Sequence, residues 1–195
     1  MKRRQFLKLK LGLAAGLLSI ATFAQAAENP KVLINTSEGA IMLELYPEKA
    51  PKTVENFLGY VNDRFYDGTI FHRVIGNFMI QGGGFDEKMN KKLTKAPILN
   101  EADNGLRNRI GTIAMARTND PHSATAQFFI NVSQNTFLDH KEKSSSQAWG
   151  YTVFGKVIKG MSVVNKIRQT RTGFKNGMAD VPTQTIKILK VRQVN

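Results

Sequence analysis

A mainly β domain with two helices is the fold class that the sequence predicts, and three observations predict it. Ile41, Leu43 and Leu45 alternate with Met42, Glu44 and Tyr46, the period-two pattern of a strand with one buried face. Residues 65–135 carry no helical period, only short apolar runs with frequent glycine. Helical spacing occurs at two places alone, after Pro51 and around Met161–Ile167. Many short strands with two helices fit a barrel or a sandwich. Closure into a barrel would remove the exposed edges, but pattern alone leaves the choice open.

The N-terminus stands apart from this domain. Lys2, Arg3, Arg4, Lys8 and Lys10 precede an apolar run from Leu11 to about Ala24, and Ala24-Gln25-Ala26 is a small-x-small cleavage pattern. Together these describe a secretory signal peptide over 1–26, with one mature domain over 27–195 beginning at Ala27. The run is short and is interrupted by Gly12, Gly16, Ser19 and Thr22, so a membrane span is the weaker alternative. Arg3-Arg4-Gln5-Phe6-Leu7-Lys8 also resembles a twin-arginine signal, with Lys2 where Ser or Thr is usual, and the export route stays open.

The elements follow in order. Val32-Leu33-Ile34 and Ile41–Tyr46 flank Ser37-Glu38-Gly39 and predict a β-hairpin. Pro51 suits a first helical position, and Val54, Phe57, Leu58 and Val61 form one apolar helical face. Short strands are expected at Ile70-Phe71, Phe78-Met79-Ile80, Ile110–Met115, Phe128–Val132 and Tyr151–Val157. Met161, Val164 and Ile167 predict the second helix. Thr185–Val194 predicts a closing strand whose alternation slips at Ile188-Leu189, the mark of a bulge.

Composition narrows the function. The expected leader holds five of the 28 basic residues and none of the 15 acidic ones, so the mature chain carries 28 − 5 = 23 bases against 15 acids, a net +8. The bases are scattered, and the densest stretch, Lys88–Lys95, reads as a solvated loop. No helix-turn-helix, zinc-finger or aromatic RNA-binding pattern is present, so no nucleic-acid partner is expected. The absence of cysteine excludes disulfides, thiolate nucleophiles and cysteine-ligated metals. His72, His122 and His140 are far apart without ligand spacing and read as strand-end or loop residues. Gly82-Gly83-Gly84 lacks the Lys-Ser/Thr of a phosphate loop and reads as a tight turn with close backbone approach. Glu101 and Asp103, beside Asn100 and Asn104-Gly105, read as turn chemistry. The sequons at Asn35 and Asn131 fall in or at the ends of expected strands.

What remains is a constellation without a nucleophile. Phe71-His72-Arg73-Val74-Ile75 precedes Phe78-Met79-Ile80-Gln81-Gly82-Gly83, then come Met115-Ala116-Arg117, Gln127-Phe128-Phe129-Ile130-Asn131 and Phe137-Leu138. In a regular strand Phe71, Arg73 and Ile75 share a face. An arginine among aromatic and methionine side chains must find acceptors or reach solvent, so a core cluster with one snorkelling arginine is the plain reading of the pattern.

These segments resemble the cyclophilin family. Phe71–Gly83 matches its signature, Gln127–Ile130 a second block, Ala50–Phe57 the early helix and Val153–Val157 a late strand, so the likeness runs over about residues 30–194. The whole is most similar to the periplasmic cyclophilins of Gram-negative bacteria. The resemblance implies an eight-stranded antiparallel closed barrel capped by two α-helices, and prolyl isomerase activity with no cofactor and no metal. It implies Arg73 as the catalytic arginine, oriented by Gln81. Phe78, Met79, Phe129, Phe137 and Leu138 would line the proline pocket, while Gln127 and the backbone at Ala116 and Arg117 hold the peptide. Tyr151 stands where the family has an active-site histidine, Phe137 where tryptophan is common, Arg117 where many members carry Asn, and Gly76-Asn77 where Pro-Gly is usual. The family marks cyclosporin as a ligand of this cleft. The expected partners are proline-containing segments of unfolded or folding proteins in the periplasm, served by a monomer with no stable membrane association once the signal is removed. A module of the same fold that binds such segments without turnover is the competing reading.

Overall fold

The computed structural model describes residues 28–194; the leader and its cleavage site lie outside the described residues. β1 (Lys31–Thr36) and β2 (Gly39–Leu45) form the expected hairpin, paired from Lys31–Glu44 to Thr36–Gly39. Val32, Ile34, Ile41, Leu43 and Leu45 are fully buried, so the alternating face does point inward. α1 (Pro51–Asn62) starts at Pro51 and buries Val54, Phe57, Tyr60 and Val61. Ala50, its N-cap residue, offers no side-chain acceptor. Glu101 does so instead: its carboxylate accepts from the Lys52 and Thr53 N–H groups at 3.1 and 2.9 Å and from Thr53 Oγ1 at 2.7 Å. The turn reading of Glu101 is therefore corrected, since a carboxylate at a helix N-terminus meets orphan donors and the positive end of the dipole. Asn100 and Asn104 do make turns, accepting from the N–H two residues on.

The remaining strands are β3 (Thr69–Ile75), β4 (Met79–Asp86), β5 (Thr112–Met115), β6 (Phe128–Asn131), β7 (Val153–Lys159), β8 (Thr172–Lys175), β9 (Met178–Pro182) and β10 (Lys187–Val194). Eight of the ten strands close an antiparallel barrel in the order β1-β10-β3-β4-β6-β5-β7-β2. The bulge in the closing strand is real: Asn35 faces Lys190 and Thr36 faces Ile188, which leaves Leu189 unpaired.

Phe57 of α1 meets the rings of Tyr66, Phe128 and Phe154 inside the barrel. α3 (Met161–Arg168) sends Val164 and Ile167 into the same core. Its Val163 lies against Gly39 at the start of β2, whereas α1 follows the end of β2, so the two helices close opposite ends. Two elements lie outside the sequence expectation. One is α2 (Ser146–Trp149), a single turn capped by Ser145 Oγ. The other is the β8–β9 hairpin, which stands outside the barrel.

Gly82-Gly83-Gly84 is not a turn but part of β4. The close approach is as expected. Gly83 has φ +80°, and a Cβ on Gly84 would lie 2.4 Å from Cγ of Gln127. Glycine at this point lets the Gln127 side chain lie flat over the strand.

Candidate active site

Each barrel strand has a second face, and on one side of the barrel that face is also apolar. Ile80, Ile113 and Ile130 point into the barrel core, so their neighbours Met79, Ala114 and Phe129 point outward. Val153 and Leu138 join them, with Ile75, Phe78, Leu106, Ala116 and Tyr151 packed around. This outer cluster floors a cavity of about 210 Å³ lined by Arg73, Phe78, Met79, Gln81, Ala116, Arg117, Phe129, Leu138 and Tyr151.

Arg73 reaches that cavity because β3 is irregular. Phe71 pairs with Gly82 and Arg73 with Gln81, so two steps on β3 match one on β4. Phe71 and Val74 both lie in the barrel core, which strict alternation forbids. The expectation that Phe71, Arg73 and Ile75 share a face is thus corrected: the extra residue turns Phe71 inward while Arg73 and Ile75 face the cleft. His72 is also not at a strand end. It lies mid-strand, 4% exposed, with its ring 4.6 Å from that of Phe85. Burial, and then the neighbouring Arg73 charge, lower its pKa to about 4, so it is neutral at physiological pH. The other two histidines are structural. His122 Nδ1 accepts from the Asn100 N–H at 3.1 Å, and His140 Nδ1 lies 2.9 Å from the Trp149 carbonyl.

Two arginines face the cavity in different states. Arg117 is fully engaged. Its guanidinium donates to the carbonyls of Gly150 (3.0 Å), Thr118 (2.8 Å) and Ser146 (2.6 Å) and to Ser146 Oγ (3.2 Å), and it lies 4.4 Å over the Tyr151 ring. Arg73 makes no side-chain hydrogen bond among the described residues. Its nearest charge is Asp180 of β9, with Nε 3.7 Å from Oδ2. Gln81, expected to orient Arg73, donates instead to Gln127 Oε1 at 3.0 Å.

Gln127 lies beside the cavity in two adjoining depressions, and the Ala116 N–H already bonds the Gln127 carbonyl at 2.9 Å. Phe137 is on the rim rather than in the lining. It is 62% exposed, stacks on Phe78 at 5.5 Å, and borders a wider neighbouring depression.

A buried amide network fixes the rim. The turn Thr136–Leu138 follows Asn135, whose side-chain N–H groups donate to the Phe78 carbonyl (2.8 Å) and Asn131 Oδ1 (2.7 Å). Asn131 donates to Asn108 Oδ1 (3.1 Å), and Asn108 donates to the Leu138 carbonyl (3.1 Å). All three asparagines are at most 2% exposed, and a satisfied buried network of this kind rigidifies what it holds. It also hides Asn131 from any glycosylating enzyme. Asn108 and Asn135 were not singled out from sequence, where nothing separates a network asparagine from a turn asparagine.

No group of three or more His, Asp or Glu suited to a metal occurs among the described residues, and no helix there is long and apolar enough to cross a membrane. Residues 31–193 match the family model described as cyclophilin type peptidyl-prolyl cis-trans isomerase/CLD. The chain is 62% identical over 157 residues to peptidyl-prolyl cis-trans isomerase cyp18 of Streptomyces antibioticus, covering 80% of this chain and 94% of that protein. It is 54% identical to peptidyl-prolyl cis-trans isomerase B of Escherichia coli strain K12, covering 82% and 97%. A solved cyclophilin type isomerase of Cryptosporidium parvum superimposes with a TM-score of 0.69 at 26% identity, covering 86% and 98%. A second structure of that protein was obtained in the presence of the dipeptide Ala-Pro. The chain belongs to the cyclophilin-type peptidyl-prolyl cis-trans isomerases. It is an enzyme of that activity, acting on proline-containing peptide segments.

Proposed function

We propose that this isomerase works by Arg73 stabilising the twisted prolyl amide while the ring sits in the apolar cavity, and that it assists the folding of exported proteins in the periplasm. The observation that carries the mechanism is the state of Arg73: a permanent cation on the wall of a cavity with an apolar floor, with its terminal nitrogens uncommitted to protein acceptors. The barrier to rotation is amide resonance, about 18–20 kcal/mol, and uncatalysed exchange takes tens to hundreds of seconds. No bond need form or break. The ring must be held while the preceding carbonyl swings, and the nitrogen, which regains its lone pair in the twisted state, must meet a donor. Reaching milliseconds requires about 10⁴–10⁵-fold acceleration, or about 5.5–7 kcal/mol. A charged donor fixed in a partly desolvated cleft, together with orientation of the ring, supplies an effect of that size. Gln81 and Gln127, bonded to each other, form the polar edge along which the peptide backbone runs.

Export rests on the basic, apolar and small-residue succession of residues 1–26. N-terminal sequencing of the periplasmic protein should start at Ala27, and a full-length membrane-bound product would overturn the location. The mechanism is tested by exchange spectroscopy on an Ala-Pro peptide. Arg73→Ala should lose at least about 10²-fold in kcat/KM, some 3 kcal/mol. Near-normal turnover in the folded variant would refute it.

A further inference from the structure

The β8–β9 hairpin contributes nothing to barrel closure, yet it is firmly seated. Val181, 4% exposed, and Met178 pack on Ile70, Phe85 and Met89 outside β3 and β4. Its tip is Asn176-Gly177, with φ +50° and +79°, the two-residue turn that matches strand twist. Next to the cleft the hairpin is irregular. Gly173 pairs with Val181 and Lys175 with Met178, so Ala179 and Asp180 together oppose Phe174. Asp180 has φ +61°, a left-handed conformation uncommon outside glycine. A bulge re-aims a side chain, and such outliers persist where their surroundings hold them. Here the re-aimed carboxylate lies 3.7 Å from Arg73 Nε.

We infer that Asp180 is a positioning residue for Arg73, so that the hairpin outside the barrel is part of the isomerase machinery. This rests on the reading of Arg73 given above. Asp180 and Arg73 share the wall of a depression of about 370 Å³ that adjoins the proline cavity through Arg73 and Gln81. Asp180 is the sole acid lining either space. Both side chains of the pair are about two-fifths exposed, so the contact adds little to folding. Its geometry gives it another use. A carboxylate on the Nε side restrains the long arginine side chain and leaves both terminal nitrogens directed to the substrate. Asp180 is the only ion-pair partner of the guanidinium among the described residues, and no hydrogen bond there holds it.

Aspartate could sit here only because it tolerates a left-handed backbone, and asparagine does so equally well. Asp180→Asn therefore keeps the backbone and removes the charge. We expect kcat/KM to fall about 3- to 10-fold, in kcat rather than KM, with an unchanged unfolding midpoint. In an Arg73→Ala background the same substitution should cause no further loss, because it acts through Arg73. Asp180→Gly, which also accepts this backbone, should repeat both results. Unchanged or raised turnover in Asp180→Asn, or an equal proportional loss in both backgrounds, would overturn the assignment. Near-normal turnover in Arg73→Ala alone would instead remove the reading beneath it.

Discussion

The two walls of the cleft hold their arginines in opposite ways. On the α2 side Arg117 spends its guanidinium on three carbonyls, a hydroxyl and the face of Tyr151. On the β3 side Arg73 keeps a single ion-pair contact with Asp180. The two residues look alike in sequence, as cations beside apolar runs. Only their acceptors separate a strut, which builds the wall, from a guanidinium left without a hydrogen bond. Arg117 and Tyr151 form one stacked unit.

The largest effect on the β3 side concerns stability. The folded pKa of His72 is about 4 against 6.5 for the free side chain, so protons favour the unfolded chain. The stabilisation is complete above pH 6.5 and is lost as pH falls from there toward 4, reaching about 3 kcal/mol. Urea unfolding at pH 7 and at pH 4 should show this loss. His72→Gln should remove most of it, and an unaltered pH dependence in that variant would assign the effect elsewhere.

A smaller effect is expected at the rim. Phe137 presents a bare ring where an indole would add an N–H donor. Leaving one buried ligand carbonyl unpaired costs about 1–3 kcal/mol, or about 5- to 150-fold in affinity. Wild type should be poorly inhibited by cyclosporin, and Phe137→Trp should gain sensitivity with little change in turnover. Full block of wild type at stoichiometric drug would exclude Phe137 as the determinant. The smallest effect is on rate against pH. With Arg73 charged and His72 neutral, kcat/KM should be flat from about pH 6 to pH 9, and a bell-shaped profile would implicate a titrating group.

Local pattern carried the barrel strands and both long helices. Period-two runs and the Pro51 helix start are short-range signals, and even the Leu189 bulge showed as a break in alternation. The grouping of the candidate site residues was legible through ordered motifs, because several of those motifs fall on strands that each contribute one outward-facing residue to the floor. What escaped depends on contacts distant in sequence. Glu101 caps a helix about fifty residues away, and the bulge at His72 appears only once β4 fixes the register. The Asn176-Gly177 pair is a hairpin signal by itself, but Thr172–Lys175 beside it carries no apolar alternation because that strand is exposed throughout.

The contrast between the arginines is tested most directly by measuring kcat/KM and unfolding free energy side by side for Arg73→Ala and Arg117→Ala. Arg73→Ala should lose at least about 10²-fold in kcat/KM with stability nearly unchanged. Arg117→Ala, which strips partners from partly buried carbonyls, should lose about 1–3 kcal/mol of stability and far less turnover per molecule still folded. The reverse pattern, an active Arg73→Ala beside a stable but inactive Arg117→Ala, would contradict the assignment of the free arginine as the catalyst.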